Sequence, residues 1–136
     1  MDDIKLSIRS KRSEVVAFLN DLKELLSNEN FDIRSDIMVI RKTKLNDPTH
    51  STPFTLIDLE YDIRDVVERL KELKISEYSE TLIDKDNSNP PFLFVFGKGI
   101  NNKLVYIKLK IRKENLNHVI CVSFHYAKDA MSFPYA

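Results

Sequence analysis

The side chains best suited to chemistry lie in two alternating runs near the C-terminus, LVYIKLKIR at 104–112 and HVICVSFH at 118–125. In the first, Tyr106, Lys108, Lys110 and Arg112 share one parity, while Val105, Ile107, Leu109 and Ile111 share the other. Successive side chains of a strand point to opposite faces, so the first set makes a cationic row ending in a phenol and the second an aliphatic row. The intervening KENLN is short enough to turn the chain so that Lys113 comes near His118. That register sets Tyr106 opposite His125, Lys108 opposite Ser123 and Lys110 opposite Cys121, and gives Ile120, Val122 and Phe124 to the aliphatic face. A slip of one residue would reverse the faces and put the four aliphatic residues into water. The expected polar face therefore collects Tyr106, Lys108, Lys110, Arg112, Ser123 and His125. Cations beside an imidazole that titrates near neutrality and a phenol are the ingredients for polarising a phosphodiester and moving a proton. The same residues also have a structural reading: lysines that keep an exposed sheet soluble, a cross-strand packing tyrosine, and a histidine satisfied at a strand end.

Other chemistries are poorly supplied. His50, His118 and His125 have no metal-ligand spacing with Cys121, so no metal is expected. Gly97 and Gly99 are the only glycines, which leaves no dinucleotide-binding loop and no expected cofactor. Lys98, in the sequence GKG, adds a cation to the candidate phosphate-binding set without the full phosphate-loop pattern. The lone Cys121 reads as a packed thiol on a strand; it permits no intramolecular disulfide, in keeping with a reducing cytoplasm. No apolar run approaches the roughly 20 residues of a membrane span, so no membrane association is expected. The first residues, MDDIKLSIRSKR, lack the apolar stretch of a secretory signal. Formal net charge is zero, from 21 basic and 21 acidic residues, but it is unevenly spread. Residues 57–90 carry ten acids and five bases, and residues 91–136 seven bases and two acids, so any anion-binding surface is expected in the C-terminal part.

The elements that must position these residues follow from periodicity. Val15, Leu19, Leu22 and Leu26 form an apolar stripe that predicts a helix over 14–27. Ile37 to Ile40 reads as a short strand, NDPTHSTP as a loop, and Pro53 as the start of a short helix over FTLIDLE. Asp62 with Asp65 caps a second main helix over 63–74, and Ser76 starts one more turn over EYSETL before the polar linker DKDNSNPP. After Pro91 the period changes to two, giving strands over 92–97, 103–112 and 118–125. The basic cluster of Lys5, Arg9, Lys11 and Arg12 reads as a frayed end. The expected fold is a single α+β domain over 1–136, a small antiparallel sheet with helices packed on one face.

Over about residues 52–125 the chain resembles the MqsR family of bacterial toxins, which are RelE-like endoribonucleases neutralised by an antitoxin. The likeness is carried by TLIDLEYDIRDVVERLKEL, ISEYSETL, FLFVFGK, VYIKLKI and VICVSFH. It implies a metal-independent mRNA interferase in which the ribose 2′-hydroxyl attacks the adjacent phosphate, with mRNA and a cognate antitoxin as partners. It implies that Tyr106 is the catalytic tyrosine, that Lys108 is the basic residue after it, and that His125 stands where the family often has a lysine. Tyr78 takes the place of an aromatic in the preceding helix and joins Lys98, Lys110, Arg112 and Ser123 in the expected RNA- and phosphate-binding set. Two positions depart from the family pattern: Ser79 replaces a lysine and Val95 a glutamine. The segment YAKDAMSFPY after His125 extends beyond the usual end of the toxin, and its aromatic residues are suited to cover the sheet face or to contact a protein. Two readings stay open, an endoribonuclease and a non-catalytic binding module on the same fold.

Overall fold

A computed structural model describes residues 5–84, 91–113 and 117–136 of the chain. Most of the expected linker at 84–91 and of the KENLN loop lies outside these residues.

The first described element is β1 (Lys5–Ile8), so the basic cluster expected to fray is instead ordered: Lys5 lies in the sheet, Arg12 opens the first helix, and Arg9 and Lys11 stand between them. In α1 (Arg12–Ser27) the helical spacing buries Val15, Phe18, Leu19, Leu22 and Leu26. The Lys11 N–H donates to the Glu14 carboxylate at 2.8 Å, closing the first turn. β2 (Ile37–Val39) is short, and α2 (Thr52–Leu59) has its proline in the first turn, where no N–H is needed. α3 (Ile63–Lys71) is capped by the Asp62 carboxylate, which accepts from the N–H groups of Arg64 at 2.9 Å and Asp65 at 3.3 Å. This helix stops short of residue 74. The N–H groups of Glu72 and Leu73 bond only three residues back, to Arg69 and Leu70, tightening the last turn.

The EYSETL segment corrects the expectation of another helical turn. A single 3₁₀ turn over Ile75–Glu77 gives way to β3 (Tyr78–Asp84). The register shifts between Tyr78 and Glu80, so Tyr78 and Thr81 come to one side and their oxygens meet at 2.7 Å. A spacing of three mimics a helix when a bulge interrupts the alternation. β4 (Leu93–Ile100), β5 (Lys103–Lys113) and β6 (Asn117–Tyr126) are the expected strands, each running one to three residues further.

The architecture is α+β. Among the described residues six strands form one sheet in the order β1-β3-β4-β5-β6-β2, antiparallel throughout except that β2 runs parallel to β6. The three helices supply one core with the inner face of that sheet, where Val105, Ile107 and Leu109 are fully buried with Val15, Leu22, Val66 and Leu70. Burying each such side chain contributes about 1.5–3 kcal/mol, which fixes the parity of β5.

The expected pairing of β5 with β6 holds only for its first half. Tyr106 faces His125, Ile107 faces Phe124 and Lys108 faces Ser123, but a bulge follows, so that Leu109 faces Cys121 and Lys110 faces Ile120. The expected Lys110–Cys121 pair is thus corrected. Val122 is the extra residue, Cys121 and Val119 turn into the core in place of Val122 and Ile120, and Ile120 is buried outside that core. β2 pairs with β6 from Val119 to Cys121. Beyond it, hydroxyls of α2 take over: Thr52 accepts from the Phe124 N–H and Thr55 from the Tyr126 N–H, both at 3.0 Å. Those two bonds bracket His125 and hold its peptide in place.

Candidate functional site

The outer face of the sheet, away from the helices, carries an open cleft of about 700 Å³. Its floor is Ser79 and Glu80 from β3, Tyr106 and Lys108 from β5, and Ser123 and His125 from β6. Residues 7–9 and Lys44 enter from two sides, and Ala127 to Ser132 form a third. The structure therefore brings Tyr106, Lys108, Ser123 and His125 together.

At the centre, the rings of Tyr106 and His125 stack with centroids 5.1 Å apart and planes 12° from parallel. His125 Nδ1 lies 2.9 Å from the Tyr126 carbonyl oxygen. A carbonyl can only accept, so Nδ1 carries the proton and the Nε2 lone pair of the neutral ring is left available. Burial lowers the pKa of His125, and the charges of Lys44, Lys108 and His50 push the same way, against the upward pull of the Tyr126 carbonyl. Burial pushes the Tyr106 phenol up to about 12, helped by the negative charge of Glu80. The pair is thus a neutral base beside a protonated phenol at pH 7.

Four other expected residues lie elsewhere. Tyr78 is fully buried on the inner side; its hydroxyl accepts from the Ser10 N–H at 2.9 Å and shares a hydrogen with Thr81. It is a packing residue, which corrects its expected role at a phosphate. Lys98 is on the β4 face paired with the buried Val105, with Glu72 at 3.6 Å and Glu77 at 3.5 Å, so its charge is already compensated away from the cleft. Lys110 and Arg112 continue the row of Lys108 but do not line the cleft; Arg112 borders a second groove with Glu14, Phe18 and Asp21 of α1. Of the two departures from the resemblance, Ser79 lines the cleft, whereas Val95 is fully buried between Glu80 and Lys108. Burial also pushes the Cys121 thiol up to about 12, which makes it inert as a nucleophile.

Periodicity does not reveal the other residues of the cleft. Glu80 sits behind the bulge of β3, and Arg9 and Lys44 stand in connectors whose destination only the topology sets. The C-terminal segment is a wall rather than a cover. Its Ala127 N–H donates to Leu104 O at 2.8 Å, and Lys128 is held by Asp47 at 3.4 Å. Farther on, a Cβ on Gly97 would meet the Phe133 ring at 2.8 Å and the Met131 sulfur at 3.0 Å. Tyr135 then stacks on Tyr78, centroids 5.7 Å apart, and donates to Ser10 O. The segment thus crosses β4 at the level of Tyr106, the cross-strand partner of Gly97, and leaves the Tyr106 ring half-buried in the cleft floor.

Comparison with protein-family models, with curated proteins and with solved structures finds no match. Among the described residues no group of three His, Cys, Asp or Glu side chains is arranged to hold a metal ion. No described helix is long and apolar enough to cross a membrane.

Proposed function

We propose that this protein is an endoribonuclease of the MqsR-like toxin type, acting without a metal on mRNA and neutralised by an antitoxin. The observation that carries the reading is the His125 imidazole, its Nδ1 proton committed to the Tyr126 carbonyl, stacked on Tyr106 in a cleft that also holds Lys108. In the proposed step Nε2 of His125 removes the proton of a ribose 2′-hydroxyl, whose oxygen attacks the adjacent phosphorus. The 2′-O–P bond forms and the P–O5′ bond breaks, leaving a 2′,3′-cyclic phosphate. Lys108 offsets the charge that grows on the non-bridging oxygens. The departing 5′-oxygen takes the Tyr106 proton, and water and the protonated His125 return the pair to its starting state.

The test is a direct one. Purified protein incubated with unstructured RNA in the presence of a chelator should yield products ending in cyclic phosphate, and His125→Ala should abolish them. Induced expression should arrest bacterial growth with the natural chain and not with His125→Ala plus Tyr106→Phe. Equal growth and intact RNA would end this reading.

The second reading is a non-catalytic binding module, and the C-terminal segment seated on Gly97 favours it, because that wall narrows the sheet face. Such a module would keep its affinity for a protein partner as salt rises, whereas a cationic cleft loses RNA steeply.

A further inference from the structure

Arg9 and Lys44 line the same cleft although they come from opposite ends of the sheet. Arg9 directly follows β1, and Lys44 lies five residues after β2, and these are the first and last strands in the sheet order. Lys108, on the fourth strand in that order, stands between them. Six strands at about 4.8 Å spacing put up to about 24 Å between the two ends. The cations therefore run across the strands, in the direction that the C-terminal segment also takes from β6 over Gly97 to the β3 edge.

Charge in the cleft is not simply positive. Glu80 and Asp129 oppose Arg9, Lys44, Lys108 and Lys128, and Lys128 is engaged by Asp47. Lys44 lines the cleft together with His125, and its positive charge, like that of Lys108, pushes the imidazole pKa down.

We propose that Arg9 and Lys44 are phosphate-binding residues at the two ends of one track, and that the cleft takes a single-stranded RNA laid across the strands beside the C-terminal segment. The scissile phosphate then sits over Lys108, with flanking phosphates at Arg9 and Lys44. This rests on the endoribonuclease reading for the central phosphate only. Single strands fit and duplexes do not, because in-line attack needs a sugar and phosphate that an A-form helix holds out of line. The track spans on the order of four nucleotides, the short end of single-strand footprints.

The experiment measures binding apart from cleavage, using fluorescent 2′-O-methyl oligouridylates, which lack the nucleophile. Anisotropy titrations over a range of salt give the slope of log affinity against log salt. Three phosphate contacts predict a slope of about −2 for a hexamer with the natural chain, and each of Arg9→Gln and Lys44→Gln should lower its magnitude by about 0.7. Lys11→Gln, an exposed cation outside the cleft, should leave it unchanged. A dimer probe should be insensitive to both end variants. Hexamer slopes unchanged in both end variants would overturn the track, even if the chain cleaves RNA. A hexamer slope that responds as stated, in a chain that leaves unmodified RNA intact, supports the track and removes the cleavage reading instead. All variants are changes at exposed residues, and circular dichroism is the check that each is folded.

Discussion

The imidazole of His125 lies on the phenol ring of Tyr106, their centroids 5.1 Å apart and their planes within 12° of parallel. Burial moves the two groups in opposite directions, the histidine down and the tyrosine up to about 12. Environments that drive two adjacent titrations apart suit one partner to act as base and the other as acid, the roles given to them in the proposed cleavage. The stack holds those two proton positions side by side on rigid, hydrogen-bonded strands.

A first prediction concerns pH. The base form of His125 should persist below the 6.5 of an ordinary histidine, so the acid limb of kcat/KM should fall below that value. Lys44→Gln and Lys108→Gln remove charges that oppose protonation, and each should move the limb to higher pH. NMR titration of the imidazole gives the same shift without reference to activity. Because the folded value is the depressed one, the contribution to stability is complete above the unfolded value near 6.5 and is lost as pH falls through the lower folded value. Chemical denaturation across that window should show stability declining on the acid side; a limb and a titration at or above 6.5 would contradict the assignment.

Tyr106→Phe keeps the ring and its stacking but removes the proton. The expected loss in kcat is on the order of 10²–10⁴-fold with KM little changed. A substrate with an activated 5′-leaving group should be far less affected, since it needs no proton donor. Equal losses on both substrates would show that Tyr106 positions the histidine and does not donate.

Gly97→Ala adds a methyl group where the Phe133 ring stands 2.8 Å away. Overpacking of this kind costs about 1–3 kcal/mol, so the melting temperature should drop. A chain ending before Met131 removes both contacts, and in that background the same substitution should cost nothing. A penalty that survives truncation would locate the strain in β4 itself.

Thr52→Val and Thr55→Val each leave an N–H of β6 without its acceptor in a buried place. Each should cost about 1–3 kcal/mol, and Thr52→Ser, which restores the oxygen, should recover most of the loss at that site. Amide hydrogen exchange at Phe124 and Tyr126 should rise in the matching valine variant.

What could be read without coordinates was whatever obeyed a regular period. α1 and α3 have uninterrupted apolar stripes, and the parity of β5 is decided by four aliphatic residues that must be buried. Both bulges broke the pattern. One made Tyr78 and Thr81 look helical, and the other took Cys121 from the polar face and gave its place opposite Lys110 to Ile120. The centre of the cleft was legible because Tyr106, Lys108, Ser123 and His125 all lie on the side of the β6 bulge away from the turn, in the half of the hairpin that keeps the expected register. Arg9 and Lys44 were not, because a connector's local sequence carries no information about which strand edge it will reach, and Glu80 was hidden by the bulge that made its strand look helical.

The two threonines of α2 do more than steady one peptide. A strand that ends its sheet normally leaves every second N–H and C=O open to another chain, which is the route by which proteins polymerise edge to edge. On the side away from β5, β6 has a neighbouring strand only as far as Cys121, and past that point its N–H groups at Phe124 and Tyr126 are already spent on side-chain oxygens of a helix that cannot be extended into a sheet. A foreign strand is therefore shut out beside His125. The edges left for strand addition are the three-residue β2 and, on the opposite border, the longer β1, with Leu6 46% and Ile8 40% exposed.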